Sequence, residues 1–306
     1  MFQRFFLLAL LLLLPGAPAL AQPADQGRVE QIGDFPSRYV DARNVSVWLP
    51  AGYDPDGGPY AVIYMQDGQN LFHANKAYGG HAWEVDKVLT DLIGAERVRR
   101  TIVVGIWNTP KRLREYMPAK VFDRLPIATR EQVAALYSGE PLSDAYLKFM
   151  VHELKPAIDR RYRTSRKARD TVAMGSSMGG LISLYALSEY PGVFGGAGCL
   201  SSHWPLVLPK DDEEMARADI HAISGAFEGY VRARLPGPGA HRIWFDHGDQ
   251  TLDRLYAPFQ QRIDRVVVAR GWVRGHDYQS KSFPGAAHNE QSWHARLDQP
   301  LVFLLK

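Results

Sequence analysis

Cysteine is almost missing: the 306 residues contain one, Cys199. An internal disulfide is therefore excluded, and an oxidising compartment is permitted without being exploited. An excess of charge of one sign is missing too. Lys and Arg number 36 against 33 Asp and Glu, a formal net charge of +3. With no clustered basic stripe, that balance argues against nucleic acid as a partner. The densest basic run, Arg160-Arg161-Tyr162-Arg163 with Arg166-Lys167, reads as a solvated turn. The acidic run Asp211-Asp212-Glu213-Glu214 reads as a solvated helix start rather than a cation site. No internal repeat or low-complexity linker divides residues 22–306, which are long enough to bury a large core as a single domain.

Long apolar runs are confined to the first residues. Arg4 is a positive start, Phe5 to Leu14 an apolar stretch too short to span a bilayer comfortably, and Ala19-Leu20-Ala21 a small-x-small cleavage site before Gln22. Residues 1–21 are therefore expected to be a signal peptide, with an uncleaved anchor as the alternative. No Cys follows the cleavage site, so a lipoprotein is not expected. The protein is expected in the periplasm or secreted, with no stable membrane insertion once the leader is removed.

What is present is alternation. Apolar, β-rich runs fall at Val45–Leu49, Tyr60–Met65, Thr101–Ile106, Thr171–Met174, Gly196–Leu200, His241–Phe245 and Asp277–Phe283. Helical spacing falls between them, at Trp83–Leu92, Asp144–Arg161, Leu181–Ser188, Leu255–Arg270 and Glu290–Leu305. The alternation predicts an α/β fold: a mostly parallel central sheet with helices on both faces. Ligands of such sheets gather at the carboxyl ends of the strands.

One stretch carries chemistry by itself. Thr171-Val172-Ala173-Met174 runs into Gly175-Ser176-Ser177-Met178-Gly179 and then into the helical spacing from Leu181. A strand that turns at once into a helix cramps the central residue, and the flanking glycines keep a Cβ from striking the neighbouring strand or helix. Ser177 is then either a plain helix N-cap or a nucleophile held out at the sheet edge. The second reading is the α/β-hydrolase arrangement, which also demands an acid and then a His further along the chain.

Both are available. Trp244-Phe245-Asp246-His247-Gly248-Asp249 ends a strand and leads to Asp253. Asp253 is the favoured acid, Asp249 is an alternative that is also placed to cap the turn, and Asp246 is read as a loop-stabilising carboxylate. Ser282-Phe283-Pro284-Gly285-Ala286-Ala287-His288 follows the last strand, and its small residues let a loop approach the pocket, so His288 is the candidate base. His294 falls on the next helix and reads as packing or surface. His203 comes before the acid in the chain and so is expected to shape the pocket, not to catalyse. For the oxyanion, the amide of Met178 is one candidate donor and that of Gln69, beyond Asp67-Gly68, the other; an ordinary Asp-Gly turn is the alternative for Gln69. Arg112 and Glu115 have the spacing to pair across one helical turn. Residues 119–141 are either a cap over the pocket or a surface excursion, with a short helix at Thr129–Leu136. Trp107, Tyr116 and Trp204 lie where they would suit a ring-bearing or sugar-linked ester.

Taken together, Tyr64-Met65-Gln66-Asp67-Gly68-Gln69-Asn70-Leu71-Phe72, Arg112 with Glu115-Tyr116-Met117-Pro118, Phe149 with Glu153-Leu154-Lys155-Pro156-Ala157-Ile158-Asp159, Gly175 to Gly180 and Ala287-His288-Asn289-Glu290 resemble the Putative esterase family of α/β hydrolases. That family includes enterochelin esterases, S-formylglutathione hydrolase, feruloyl and acetyl-xylan esterases and the mycolyltransferases. The resemblance implies two-step acyl transfer on a small-molecule ester. Ser177 would attack, His288 would take and return the proton, Asp253 would hold the imidazole tautomer, and the amides of Met178 and Gln69 would hold the oxyanion. It implies no metal and no organic cofactor. The same triad would also serve an acyltransferase to a sugar or lipid acceptor, and a non-catalytic binding module on this fold is a further alternative.

Overall fold

Along Ala61–Gln66 (β3) the side chains divide by parity: Val62 and Tyr64 enter one apolar core, Ala61, Ile63 and Met65 the other. A strand buried on both faces favours apolar residues, and all six are buried; the one amide, Gln66, accepts a hydrogen bond from the Tyr146 hydroxyl. Thr101–Ile106 (β4) and Thr171–Ser176 (β5) flank it in parallel and are likewise buried throughout. The computed structural model describes residues 26–207 and 220–306. The expected leader, residues 1–21, and the acidic run Asp211–Glu214 lie outside the described residues.

The full sheet has eight strands in the order β1-β2-β4-β3-β5-β6-β7-β8, where β1 is Arg28–Phe35, β2 Arg43–Leu49, β6 Gly196–Leu200, β7 Arg242–His247 and β8 Tyr278–Ser282. Pairing is antiparallel from β1 to β2 and from β2 to β4, and parallel elsewhere. This is the mostly parallel sheet that the alternation predicts, in the α/β-hydrolase arrangement that the turn at Ser177 and the family resemblance imply. One strand had no apolar signature: β1 is an edge strand of mixed polar residues, four of its eight exposed and none fully buried.

Helices cover both faces. Val85–Gly94 (α1), Glu290–His294 (α10) and Asp298–Leu305 (α11) close the core that contains Trp48 and Met174. The other face holds Arg112–Tyr116 (α2), Ala119–Phe122 (α3), Ile127–Leu136 (α4), Ser143–Lys148 (α5), Lys155–Arg161 (α6), Met178–Glu189 (α7), Ile220–Arg234 (α8) and Ala257–Ala269 (α9). The helical run expected over Asp144–Arg161 is continuous but widens into a π turn at Phe149–Leu154. The widening directly precedes Pro156, which has no N–H to give an α-helical bond. The run expected over Glu290–Leu305 breaks between α10 and α11. Among the described residues no helix is long and apolar enough to cross a membrane.

The expected pairing of Arg112 with Glu115 does not form. Glu115 turns inward to Arg43 at the start of β2, where two hydrogen bonds of 2.7 and 2.9 Å join side chains that are 1% and 0% exposed. A bidentate, fully buried partner offsets desolvation, which a one-turn pair on a wet helix face cannot do. Arg112 is thereby released for another carboxylate. Glu115→Ala is expected to lower unfolding free energy by about 3–5 kcal/mol, because it strands a buried guanidinium. Urea denaturation of the two proteins measures it, and a loss below about 1 kcal/mol would mean that water reaches Arg43.

Candidate active site

The turn from β5 into α7 holds Ser177 at φ +58° and ψ −125°, outside the regions open to side-chain-bearing residues at low cost. Backbone hydrogen bonds keep it there: its N–H donates to the Leu200 carbonyl at 2.9 Å, and its own carbonyl accepts from Gly180 at 3.0 Å, His203 at 3.2 Å and Leu181 at 3.4 Å. Space is as tight as the glycines suggested. A Cβ on Gly175 would stand 2.9 Å from the Gln66 side chain, and one on Gly179 3.1 Å from it. Helix α7 is buried along nearly its whole length, so the turn is braced from beneath.

Across the carboxyl edge of the sheet, the loop after β8 presents His288. Its Nδ1 lies 2.6 Å from Asp253 Oδ1. Two rings clamp the imidazole edge-on, Trp293 at 5.0 Å and Tyr256 at 5.6 Å between centroids. The backbone N–H of His288 donates to Thr251 Oγ1 at 2.8 Å. Asp253 is 1% exposed. Burial would raise its proton affinity, but hydrogen bonds from His288, Ser201 and the Gly248 N–H overcome that and hold the carboxyl below its ordinary value. Asp249 sits apart, exposed, accepting from the Gly285 N–H at 2.8 Å and from Gln250. Asp246 is buried against Arg296 and Trp244, and burial raises it.

Ser177 and His288 line one cavity of about 670 Å³ together with Asp67, Gln69, Asn108, Arg112, Glu290 and Trp293. Asp67, a residue at φ +55° that the sequence marked only as part of a turn, accepts two hydrogen bonds of 2.7 Å from Arg112 and one of 2.6 Å from Asn108. Gly68 is required by contact, not by a turn: a Cβ there would lie 2.4 Å from the backbone of Gly105 on β4. The N–H of Met178, first in its helix, has no acceptor within the helix. Gln69 lies in a one-turn helix, Gly68–Asn70, closed by the N–H groups of Asn70 and Leu71, while its side chain accepts from Asn108 N–H at 3.3 Å. Glu290, missed in the sequence beyond its place in a motif, accepts from Asn70 Nδ2 at 3.1 Å, and burial with Asp67 nearby raises its pKa.

The three aromatic residues expected at the substrate are not on the cavity wall. Trp204 is 1% exposed, packed against Phe227 and bonded to Gln260. Tyr116 is fully buried, and its hydroxyl accepts from the Asp67 N–H at 3.3 Å, behind the site. Trp107 donates to Ser46 Oγ on the sheet. Large rings on a wall bounded by the core gain more by facing it. His294 packs against the Trp83 carbonyl. Of residues 119–141, Val121, Phe122, Leu125 and Val133 join the core and Tyr137 donates to the Leu206 carbonyl at 2.8 Å.

Residues 38–304 match the sequence profile of the family described as Putative esterase. The chain is 28% identical over 173 residues to YbbA and 25% identical over 171 residues to YjcH, both of Bacillus subtilis (strain 168). Those alignments cover 56% and 55% of this chain and span only 62% and 59% of the relatives' lengths. Among solved structures, an IroE-like serine hydrolase from Shewanella oneidensis superposes with a TM-score of 0.65 at 20% identity, covering 90% of this chain and 79% of that one. The enterobactin esterase FES from Shigella flexneri gives 0.62 at 19%, covering 92% and 60%. A ferulic acid esterase gives 0.61 at 18%, covering 91% and 98%. These likenesses are likenesses of fold.

His203 lies under this site with its Nδ1 2.8 Å from the Tyr256 hydroxyl. Burial, with His288 and Arg112 adding to it, pushes its pKa from 6.5 down to about 3. The unfolded chain takes the proton first, so this residue's contribution is whole above pH 6.5 and is lost as pH falls from there towards 3. Within that window His203→Asn is expected to flatten the fall of unfolding free energy, by up to about 1.4 kcal/mol per pH unit. Urea titrations at stepped pH measure it; equal slopes in the two proteins would contradict the buried neutral imidazole.

Proposed function

The chain belongs to the Putative esterase family, and from that premise we propose that it is an exported serine esterase that hydrolyses a carboxylic ester through a covalent acyl-enzyme. Ser177 is the nucleophile, His288 the general base and Asp253 the acid that orients it. The observation that carries this reading is the 2.6 Å bond from His288 to a buried Asp253, in a cavity that also holds a serine at φ +58°.

The steps follow from the atoms. With Nδ1–H given to Asp253, the Nε2 lone pair of His288 takes the Ser177 proton as Oγ attacks the carbonyl carbon. The carbonyl oxygen becomes an oxyanion and receives the N–H groups of Met178 and Gln69. Collapse expels the alcohol, which takes the proton from His288. Water then repeats the sequence, the acid leaves, and Ser177 regains its hydrogen. A protonated imidazole cannot act as a base, so activity falls in acid. Residues 1–21 would direct the chain out of the cytoplasm, to the periplasm or beyond.

The cavity wall also bears on the substrate. Among the described residues it carries Asp67, Asn70, His81, Asn108, Arg112 and Glu290, the rings of Tyr78 and Trp293, and no Leu, Ile, Val, Phe or Met. Such a wall would bond a hydroxylated or otherwise polar ester and offers a long alkyl chain no aliphatic side chain to pack against, only the Tyr78 and Trp293 rings. The same polar wall would accept a hydroxylated acceptor in place of water, which keeps acyl transfer as a second reading, distinguished by whether added polyols divert the acyl group.

Ser177→Ala is expected to lower kcat by about four to six orders of magnitude with the fold intact by circular dichroism. Asp253→Asn should cost about 10⁴-fold and Asp249→Asn almost nothing, and equal losses would remove Asp253 from its role. On p-nitrophenyl esters, acetate should be cleaved far faster than decanoate. A preference for decanoate would refute the polar-substrate reading, and no labelling of Ser177 by a fluorophosphonate would point to a binding module instead.

A further inference from the structure

Ser201 follows β6 directly, outside the three side chains of the proposed reaction. Its side chain is fully buried and its backbone is left-handed, with φ +42°. A hydroxyl has one hydrogen to give and two lone pairs to offer. Trp293 Nε1–H donates to Ser201 Oγ at 3.0 Å, and Arg296 Nη2–H donates at 2.8 Å. Indole and guanidinium have no lone pair to give back, so both acceptor sites are filled and the O–H has one direction left. In that direction stands Asp253 Oδ2, at 2.6 Å.

The Gly248 N–H reaches the same Oδ2, also at 2.6 Å. With Oδ2 engaged twice, Oδ1 is the oxygen turned to His288. Arg296 makes no direct hydrogen bond to the carboxylate and is at most a long ion-pair partner of Oδ2. It bonds Asp246 Oδ1 at 2.9 and 3.1 Å and stays 4.0 Å from Asp253. Asp246 is fixed in turn by Trp244 Nε1–H at 2.7 Å, and its carbonyl accepts the Ser201 N–H at 2.8 Å.

We infer that Ser201 is a positioning residue for the proposed reaction: its hydroxyl, aimed by Trp293 and Arg296, locks the Asp253 carboxylate in the rotation that presents Oδ1 to His288. This rests on the reading of His288 and Asp253 as the catalytic pair. The strained backbone has a purpose on this account, since it carries the hydroxyl off the end of β6 and under the carboxylate. Trp293 acts twice, steering the hydroxyl with its N–H and holding the imidazole plane with its ring edge.

Two variants of the full chain separate the hydroxyl from the strain. Ser201→Ala removes the hydroxyl and keeps a side chain at positive φ; Ser201→Gly removes the hydroxyl and relieves the backbone. Both are expected to lower kcat on p-nitrophenyl acetate about 10- to 100-fold at unchanged KM. In both, the downfield proton resonance of the His288 Nδ1–H bonded to Asp253 should move upfield or broaden away. Trp293→Phe, which keeps a ring and frees one lone pair on Ser201, should give a smaller loss in kcat with the same change in the resonance. Parent-like kcat and an unmoved resonance in Ser201→Gly would overturn the inference, as would parent-like values in Trp293→Phe. A parent protein without the downfield resonance, or an active Ser177→Ala, would instead sink the catalytic pair itself.

Discussion

The structure depends on one close approach: β3, β5 and α7 meet where Gln66 presses against Gly175 and Gly179. No side chain fits between them, so the chain must leave β5 and enter α7 within a single residue, and Ser177 takes the conformation that results. The cost of that backbone is offset by what lies on both sides. Strand β5 is fully buried in the middle of the sheet, and α7 is apolar around its circumference. Local strain persists only where the surroundings over-determine it.

A second constraint is the disposal of charge inside the fold. Arg43 and Glu115 neutralise each other out of reach of water, and Arg112 and Asp67, partly exposed, neutralise each other at the cavity edge. Each pair ties distant segments: the start of β2 to α2, and α2 to the loop after β3. Helix α2 therefore holds the Gln69 loop through Arg112 and the sheet through Glu115. Such pairs add little net stability over an apolar packing, but breaking one leaves a bare charge, so they fix a single arrangement of the loops.

Around Asp253 the same logic runs through neutral groups. Three donors converge on one carboxylate, from the ends of β6 and β7 and from the loop after β8. All three enter at the carboxyl edge of the sheet, where parallel strands place their loops side by side. The polar cavity beside them is open to solvent on the side where Tyr78 and Gly79 form its rim.

Much of this was legible in the order of residues. The alternation of apolar runs specified the sheet because a parallel strand buried on both faces has almost no polar position to confuse the pattern. Edge strand β1 escaped for the opposite reason, and α8 was overlooked although Ile223, Ala226, Phe227, Tyr230 and Val231 keep helical spacing. Gly175, Ser177 and Gly179 disclosed their turn because the pattern that marks it lies within five consecutive residues, even though the crowding that demands the glycines comes from Gln66 on β3; the sequential placing of a carboxylate-rich loop and a histidine after it was legible in the same way. Only the tertiary structure decided which of Asp246, Asp249 and Asp253 stands next to His288, that Arg112 turns to Asp67 and not to Glu115, and that Trp107, Tyr116 and Trp204 lie off the cavity wall. Those choices are made by contacts between segments tens or hundreds of residues apart, whose competing partners have equal chemistry and differ only in where the sheet register puts them.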